Sequence, residues 1–292
     1  MSLAVLTSRA LTGMEAPPVT VEVHLAKGLP SFTIVGLPEL EVRESKYRVR
    51  ATLLNARFEF PSRRITVNLA PADLPKDSGR FDLPIAIGIL VATGQIPGDQ
   101  LSRYEFAGEL ALTGELRPIR GALAMALKAH RDGRAFVLPK ASAVEAALVR
   151  DAQVLAADSL LQVCAHLNGR ELNAPYASTP ALQTQDLNAV ADFADVKGQV
   201  CAKRALEVAA AGRHSVLMMG PPGTGKTMLA QRLLGILPPM NDDEALEAAA
   251  VQSLTGGFRS ERWRQRPFRA PHHTASGAAL VGGDVQRQII CK

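Results

Sequence analysis

The sequence predicts an α/β protein of two units, the second built around a strand, a glycine-rich loop and a helix. Three observations carry this. At 292 residues the chain is too long for one ordinary core. Up to about residue 172, β-branched alternating runs interleave with runs of helical period. Residues 173–190 then lack hydrophobic periodicity and carry Pro175, Ser178, Thr179 and Pro180, as an inter-domain linker does. The reading is therefore a front domain over residues 1–172, a linker over 173–190 and a second domain over 191–292.

In order along the chain, Val19–Leu25 alternates as a half-buried strand should, and Ser31–Val35 is a second strand closed by Gly36 and Pro38. From Glu39 to Asn55 the apolar residues Leu40, Tyr47, Ala51 and Leu54 recur near helical spacing between charges, which predicts a helix with a solvated face. Arg64–Leu69 returns to strand. Asp82 is read as the cap of a helix with Pro84 in its first turn and Ile85–Val91 buried. Strands at Tyr104–Leu110 and Glu115–Ile119 flank a turn at Gly114. Helix Ala122–Arg131, strand Ala135–Leu138, helix Ala141–Leu148, strand Gln153–Ala156 and helix Ser159–Leu167 complete a mixed sheet with helices packed on it. The second unit opens with helix Val200–Ala211, a short buried strand Ser215–Met219, the loop, and helix Lys226–Gly235 with a stripe at Leu229, Leu233 and Ile236.

Composition narrows the class. Aromatics are 4% of residues, so the cores must be built from Leu, Val, Ile and Ala. Cys164, Cys201 and Cys291 are far apart and form no CxxC pair, which excludes a zinc ribbon and a disulfide framework and fits a reducing compartment. No basic-then-apolar leader opens the chain and no apolar run reaches the roughly 20 residues of a membrane helix. The expectation is a cytoplasmic protein with no membrane partner. The net charge of +5 is mild, but Arg259, Arg262, Arg264, Arg266 and Arg269 crowd one segment against the single acid Glu261.

The strongest chemical signal is Gly220-Pro221-Pro222-Gly223-Thr224-Gly225-Lys226-Thr227, a full match to G-x-x-x-x-G-K-[ST]. Glycines let the backbone fold tightly enough for successive N–H groups to face phosphate oxygens, and the helix beginning at Lys226 adds the positive end of its dipole. Lys226 is expected to reach the β- and γ-phosphates of ATP, and the Thr227 hydroxyl to ligate Mg²⁺.

Other residues then carry a family resemblance. Asp192-Phe193-Ala194-Asp195-Val196-Lys197-Gly198-Gln199, upstream of the loop, resembles the segment that packs near adenine in AAA+ ATPases. With Arg266-Pro267-Phe268-Arg269-Ala270-Pro271-His272-His273-Thr274-Ala275-Ser276 and Ala279–Gly283, nearly the whole chain resembles the magnesium-chelatase-like AAA+ proteins of bacteria, in particular their competence-associated type. The resemblance implies a hexameric ring-forming ATPase that drives DNA branch migration as a helicase on single-stranded or branched DNA. In the front domain, Pro75–Asp82 and Leu116–Met125 resemble the segments of Lon-type proteases that carry a nucleophilic serine and a lysine base, a fold of the ribosomal S5 domain 2 type. The serine position falls on Arg80, with Ser78 two residues out of register, and the lysine positions fall on Leu123 and Met125. The fold is implied and the peptidase chemistry is not, since the dyad needs a hydroxyl and a depressed-pKa amine.

Hydrolysis requires more than a phosphate cradle. After Thr227 the sequence presents no apolar strand ending in two acids to hold Mg²⁺ and orient water: Asp284 lacks the strand, and Ile289–Lys292 ends in a cation. The chain is read as the front part of the family's domain, cut before its hydrolytic machinery, and no catalytic residue is named in it. His272 and His273 are read as loop residues, because adjacent side chains diverge and no third ligand lies nearby. For the arginine segment two readings stay open, contact with DNA phosphates helped by Trp263 and Phe268, or a solvated loop facing a neighbouring subunit. Besides the DNA motor, the alternatives are a chelatase-type subunit driving metal insertion into a tetrapyrrole, against which the Lon-like front domain argues, and a non-catalytic fragment.

Overall fold

The computed structural model describes residues 2–12, 15–171, 173–176, 191–254, 257–259, 262–272 and 274–275. Contacts divide the chain into two compact units, Met1–Ser178 with Ala250–Phe258, and Thr179–Ala249 with Arg259–Lys292. The readings of residues 177–190, Glu261, His273, Ser276, Ala279–Gly283, Asp284 and Ile289–Lys292 lie outside the described residues, as does Cys291.

In the first unit a seven-stranded sheet has the order β3-β4-β2-β1-β5-β8-β9. Its strands are β1 (Ser2–Arg9), β2 (Pro18–Ala26), β3 (Ser31–Val35), β4 (Arg64–Ala70), β5 (Tyr104–Phe106), β8 (Ala135–Pro139) and β9 (Val154–Ala157). The β3–β4, β1–β5, β5–β8 and β8–β9 pairs are parallel; β1–β2 and β2–β4 are antiparallel. The predicted mixed α/β fold is what the chain forms. Alternation in β2 and β4 buries Val19, Val21, Val23, Ile65, Val67 and Leu69 and leaves Thr20, Glu22, His24, Thr66 and Asn68 partly exposed, as one solvated sheet face requires. β8 is buried at all five positions, as expected between two parallel neighbours.

β1 is a central strand that the sequence analysis did not register. Its end carries a polar network in the core: the Arg9 guanidinium donates to both Glu105 carboxylate oxygens (2.6 and 2.8 Å), to the Ala16 carbonyl (2.8 Å) and to Asp132, and Arg134 adds a third cationic donor to Glu105 at 3.1 Å. Each buried charge is thereby paired.

Helix α1 (Leu40–Asn55) forms where predicted, but it buries Val42, Ser45, Val49, Thr52 and Leu53, while Leu40, Tyr47 and Leu54, whose spacing predicts it, are exposed; α2 (Asp82–Ala92) packs on β1 and β2. Gly88 sets that approach, since a Cβ there would stand 2.5 Å from Val23 Cγ2. The expectation that Asp82 caps α2 is corrected. Phe81 is the N-cap; Asp82 lies inside the helix and its carboxylate accepts from Arg48 (2.6 and 3.0 Å) and the Leu110 N–H (3.2 Å). A tertiary cation on α1 outcompetes a local cap. Burial pushes the Asp82 carboxyl up from its ordinary pKa, against the Arg48 hydrogen bonds that favour its charged form.

The strand expected over Tyr104–Leu110 is also corrected. It stops at Phe106, because the backbone at Gly108 turns to pair with the loop before α2: its N–H donates to the Arg80 carbonyl (2.8 Å) and its carbonyl accepts from Leu83 (3.0 Å). Glu109–Leu110 is β6 and pairs antiparallel with β7 (Leu116–Arg117), all that forms of the strand expected over Glu115–Ile119. Helices α3 (Ala122–Arg131), α4 (Lys140–Ala146) and α5 (Leu160–Leu167) alternate with β8 and β9 close to prediction, and Ser159 caps α5 by accepting from the Gln162 N–H. Within the stretch read as a linker, Asn173 donates to His166 Nδ1 and to the Ala156 carbonyl, and the Tyr176 N–H donates to Val154 (2.7 Å).

The second unit holds α6 (Val200–Gly212), α7 (Lys226–Ile236) and the start of α8 (Asp242–Leu254). Phe193, Val196, Leu206 and Leu229 form its small core, joined by Met218, Met228, Leu233 and Ile236. The buried strand expected at Ser215–Met219 is corrected: the segment forms no strand, and Leu217 and Met219 are each 84% exposed. A strand needs a ladder partner, and every strand among the described residues lies in the first unit. No helix among the described residues is long and apolar enough to cross a membrane.

Candidate functional site

Residues 220–227 lie together as one loop running into the first turn of α7. Gly220, Gly223 and Gly225 have φ of 156°, 82° and 82°, backbone that side chains rarely adopt, and Gly225 is the left-handed residue from which α7 starts. Pro221, Pro222, Gly223 and Thr224 are exposed at the loop tip, Gly225 and Lys226 are half-buried, and Thr227 faces solvent on the first turn. The first N–H groups of a helix have no intrahelical carbonyl, so this end carries donors and partial positive charge.

The loop is closed on its own cation. Lys226 Nζ donates to the carbonyls of Gly220 (2.8 Å) and Pro221 (2.7 Å) and to Thr224 Oγ1 (3.2 Å), and the Thr224 hydroxyl in turn donates to Pro221 (3.0 Å). An ammonium drawn to the mouth of a glycine-lined loop at a helix N-terminus is placed to meet an anion. That donor set suits a polyphosphate, and the exposed Thr227 hydroxyl suits a cation held on it.

Two contacts that sequence reasoning missed tie the upstream segment to this loop. Gln199 Nε2 donates to the Thr224 carbonyl at 2.9 Å. Arg232 on α7 donates from Nε to the Asp192 carbonyl (3.0 Å) and pairs with the Asp195 carboxylate (3.3 Å). Both ends lie in Asp192–Gln199, quoted above for its resemblance; residue types alone gave neither side chain a role.

The basic segment is not five free cations. Arg264 pairs with Asp242, and Arg266 pairs with Glu244 (3.2 Å) while donating to the Pro238 carbonyl (2.9 Å). Arg259, Arg262 and Arg269 are exposed. His272 Nδ1 shares a hydrogen bond with the Thr274 hydroxyl at 2.8 Å.

In the first unit, Arg80, Leu123 and Met125, at the positions of the protease dyad, are all buried. Ser78 Oγ accepts from Arg80 Nε at 2.8 Å. Burial lowers the Arg80 pKa, partly offset by Asp77, yet a guanidinium remains a poor proton acceptor. The nearest lysine in sequence, Lys76, is buried on the Pro71 carbonyl.

A mixed α/β unit followed by a glycine loop that enters a helix at a lysine has the form of an α/β P-loop protein. A family model described as subunit ChlI of Mg-chelatase matches residues 21–142, and one described as magnesium chelatase, subunit ChlI, matches residues 192–289. The chain belongs to the magnesium-chelatase ChlI family. Over 97% of its length it is 53% identical to the competence protein ComM of Haemophilus influenzae, 51% to the uncharacterized protein YifB of Salmonella typhimurium and 49% to YifB of Escherichia coli. It covers 56% of each of these, so the chain spans about half the length of the curated relatives it matches. Because the first match, described as a chelatase subunit, falls in the front unit, that unit does not argue against a chelatase role as the sequence reading held.

Proposed function

We propose that this chain binds ATP with Mg²⁺ at Gly220–Thr227, and that the longer protein it represents is a ring-forming, DNA-stimulated ATPase of the competence type. The observation that carries the binding half is the Lys226 ammonium gathered by the Gly220 and Pro221 carbonyls in a left-handed glycine loop. Incoming phosphates offer stronger, charged acceptors to the same ammonium, and the N–H groups at the start of α7 offer donors to the phosphates. Lys226 then neutralises charge on the β- and γ-oxygens, and Thr227 gives its hydroxyl to the metal. The competence half rests on identity to the competence protein ComM, and DNA branch migration is proposed with it only because the sequence resemblance to the competence-associated type implies it.

The division into a front domain and an ATPase domain is part of this proposal, as is the absence of peptidase chemistry from the front domain. Ser78 is held by a guanidinium, and Lys76 is bonded elsewhere.

The test is a titration of labelled ATP with Mg²⁺ against wild type and Lys226→Ala. Wild type should bind and the variant should lose about a hundredfold in affinity; equal binding by both sinks the reading. Phosphate release from the longer protein separates the two family roles. Stimulation by branched DNA supports the motor. Stimulation by a porphyrin and Mg²⁺ instead supports a metal-inserting subunit, the second reading, favoured by the description of both family matches.

A further inference from the structure

We infer that Gln199 is a positioning residue for the phosphate loop, acting through the Thr224 peptide rather than by touching nucleotide. The inference rests on the nucleotide site proposed above. Chain geometry delivers the side chain: Gly198 and Gln199 are consecutive left-handed residues (φ 71° and 54°) that turn the upstream segment into α6, with Gln199 as its N-cap. A non-glycine residue seldom adopts that backbone. The Gln199 side chain does not cap the helix it starts; it reaches 25 residues ahead to the Thr224 carbonyl. Its base is fixed, because Phe193 and Val196 pack with Leu229 and Arg232 holds Asp192 and Asp195.

The consequence follows from peptide planarity. In a trans peptide the C=O and the next N–H point in opposite directions. Holding the Thr224 carbonyl on Gln199 therefore turns the Gly225 N–H to the far side. Gly225 permits the close approach, since a Cβ there would stand 3.3 Å from Gln199 Nε2. The Lys226 ammonium uses different acceptors, Gly220, Pro221 and the Thr224 hydroxyl, so phosphates can draw it away without disturbing the Gln199 contact. One donor is exchanged on binding and the other keeps the loop's shape.

The experiment compares wild type, Gln199→Ala and Gln199→Glu in the full chain. Probes are ATP with Mg²⁺, inorganic tripolyphosphate with Mg²⁺, and amide hydrogen exchange over residues 220–227 without ligand. The expected result for Gln199→Ala is a two- to tenfold loss for both anions by the same factor, the reach of one exposed hydrogen bond. Exchange in the loop should quicken and the melting temperature should hold. Gln199→Glu, which cannot donate and opposes a carbonyl, should lose at least as much. Loss confined to ATP overturns the proposal, because it makes Gln199 a base contact. Loss that tracks a lower melting temperature overturns it as general destabilisation, and unchanged exchange overturns it whatever the binding. If wild type and Lys226→Ala bind alike, the nucleotide reading fails, and loop exchange in the free protein still decides whether Gln199 holds Thr224.

Discussion

Two apolar runs of nearly the same length show how differently the two units are built. Ala135–Leu138 and Ser215–Met219 both have the composition of short buried strands. The first becomes β8, hydrogen-bonded to β5 and β9 and buried throughout; the second forms no strand and leaves Leu217 and Met219 largely in solvent. Local propensity is similar, so the difference lies in partners. Strand backbone must find a ladder or water, and the front unit supplies a ladder on each side. Its core joins both antiparallel pairs to the parallel half through Leu6, Val23, Ile87, Phe106 and Val137, whereas the cluster described in the second unit centres on Phe193, Val196, Leu206 and Leu229.

The largest expected effect tests that asymmetry directly. Phe106→Ala, which empties the front core, should cost about 3–5 kcal/mol in the front unit's unfolding transition while leaving ATP affinity unchanged. Leu229→Ala should cost the second unit about 2 kcal/mol, because a sparse surround collapses more readily into the space, but it should weaken ATP binding through α7. Denaturation followed by calorimetry, with labelled ATP as the second probe, reads both. A Leu229 variant that unfolds at the cost of the Phe106 variant breaks the comparison.

Thiol chemistry sharpens it. Cys164 is buried in the front core and burial pushes its thiol up to about 12, whereas Cys201 on α6 is exposed. Iodoacetamide at pH 8, read peptide by peptide in a mass spectrometer, should modify Cys201 at least tenfold faster than Cys164. The sign for stability follows. An unfolded Cys164 ionises near pH 9 while the folded one stays neutral to about 12, so the front unit should lose stability progressively across that alkaline interval and none below it. A Cys164→Ala variant should show a flatter alkaline profile.

The smallest effect concerns the arginines. Arg264 and Arg266 are committed to Asp242 and Glu244, so Arg264→Ala should leave the salt dependence of DNA binding nearly unchanged. Arg262→Ala and Arg269→Ala should each lower the slope of log affinity against log salt by about 0.7–0.9 if each meets one phosphate. Equal effects from all three, measured by fluorescence anisotropy with single-stranded DNA, would return the segment to an undifferentiated basic patch.

How much was legible depended on the range of the forces involved. The loop at Gly220–Thr227 was legible as a tight glycine turn entering a helix at Lys226, because that geometry is written in consecutive residues. Most helices and half-buried strands could be read from periodicity. What failed had a distant partner: Asp82 left its expected capping role for Arg48, 34 residues earlier, and the strand begun at Tyr104 was cut short by Gly108 bonding to Arg80 and Leu83. β1 was missed because Leu3 and Val5 on its open face blur the alternation, and its pairing with β2 and β5 is not a property of its own residues.

The sequence by itself therefore determined the α/β class, the position of most helices and half-buried strands and the glycine turn that enters α7, since periodicity and turn chemistry act within a few residues. Only the tertiary structure decided that Gln199 holds Thr224, that Lys226 closes its own loop, that Arg264 and Arg266 are already paired, and that 215–219 forms no strand. Each of these turns on which hydrogen-bonding or charged partner lies within about 3 Å, and that is set by how the chain returns upon itself.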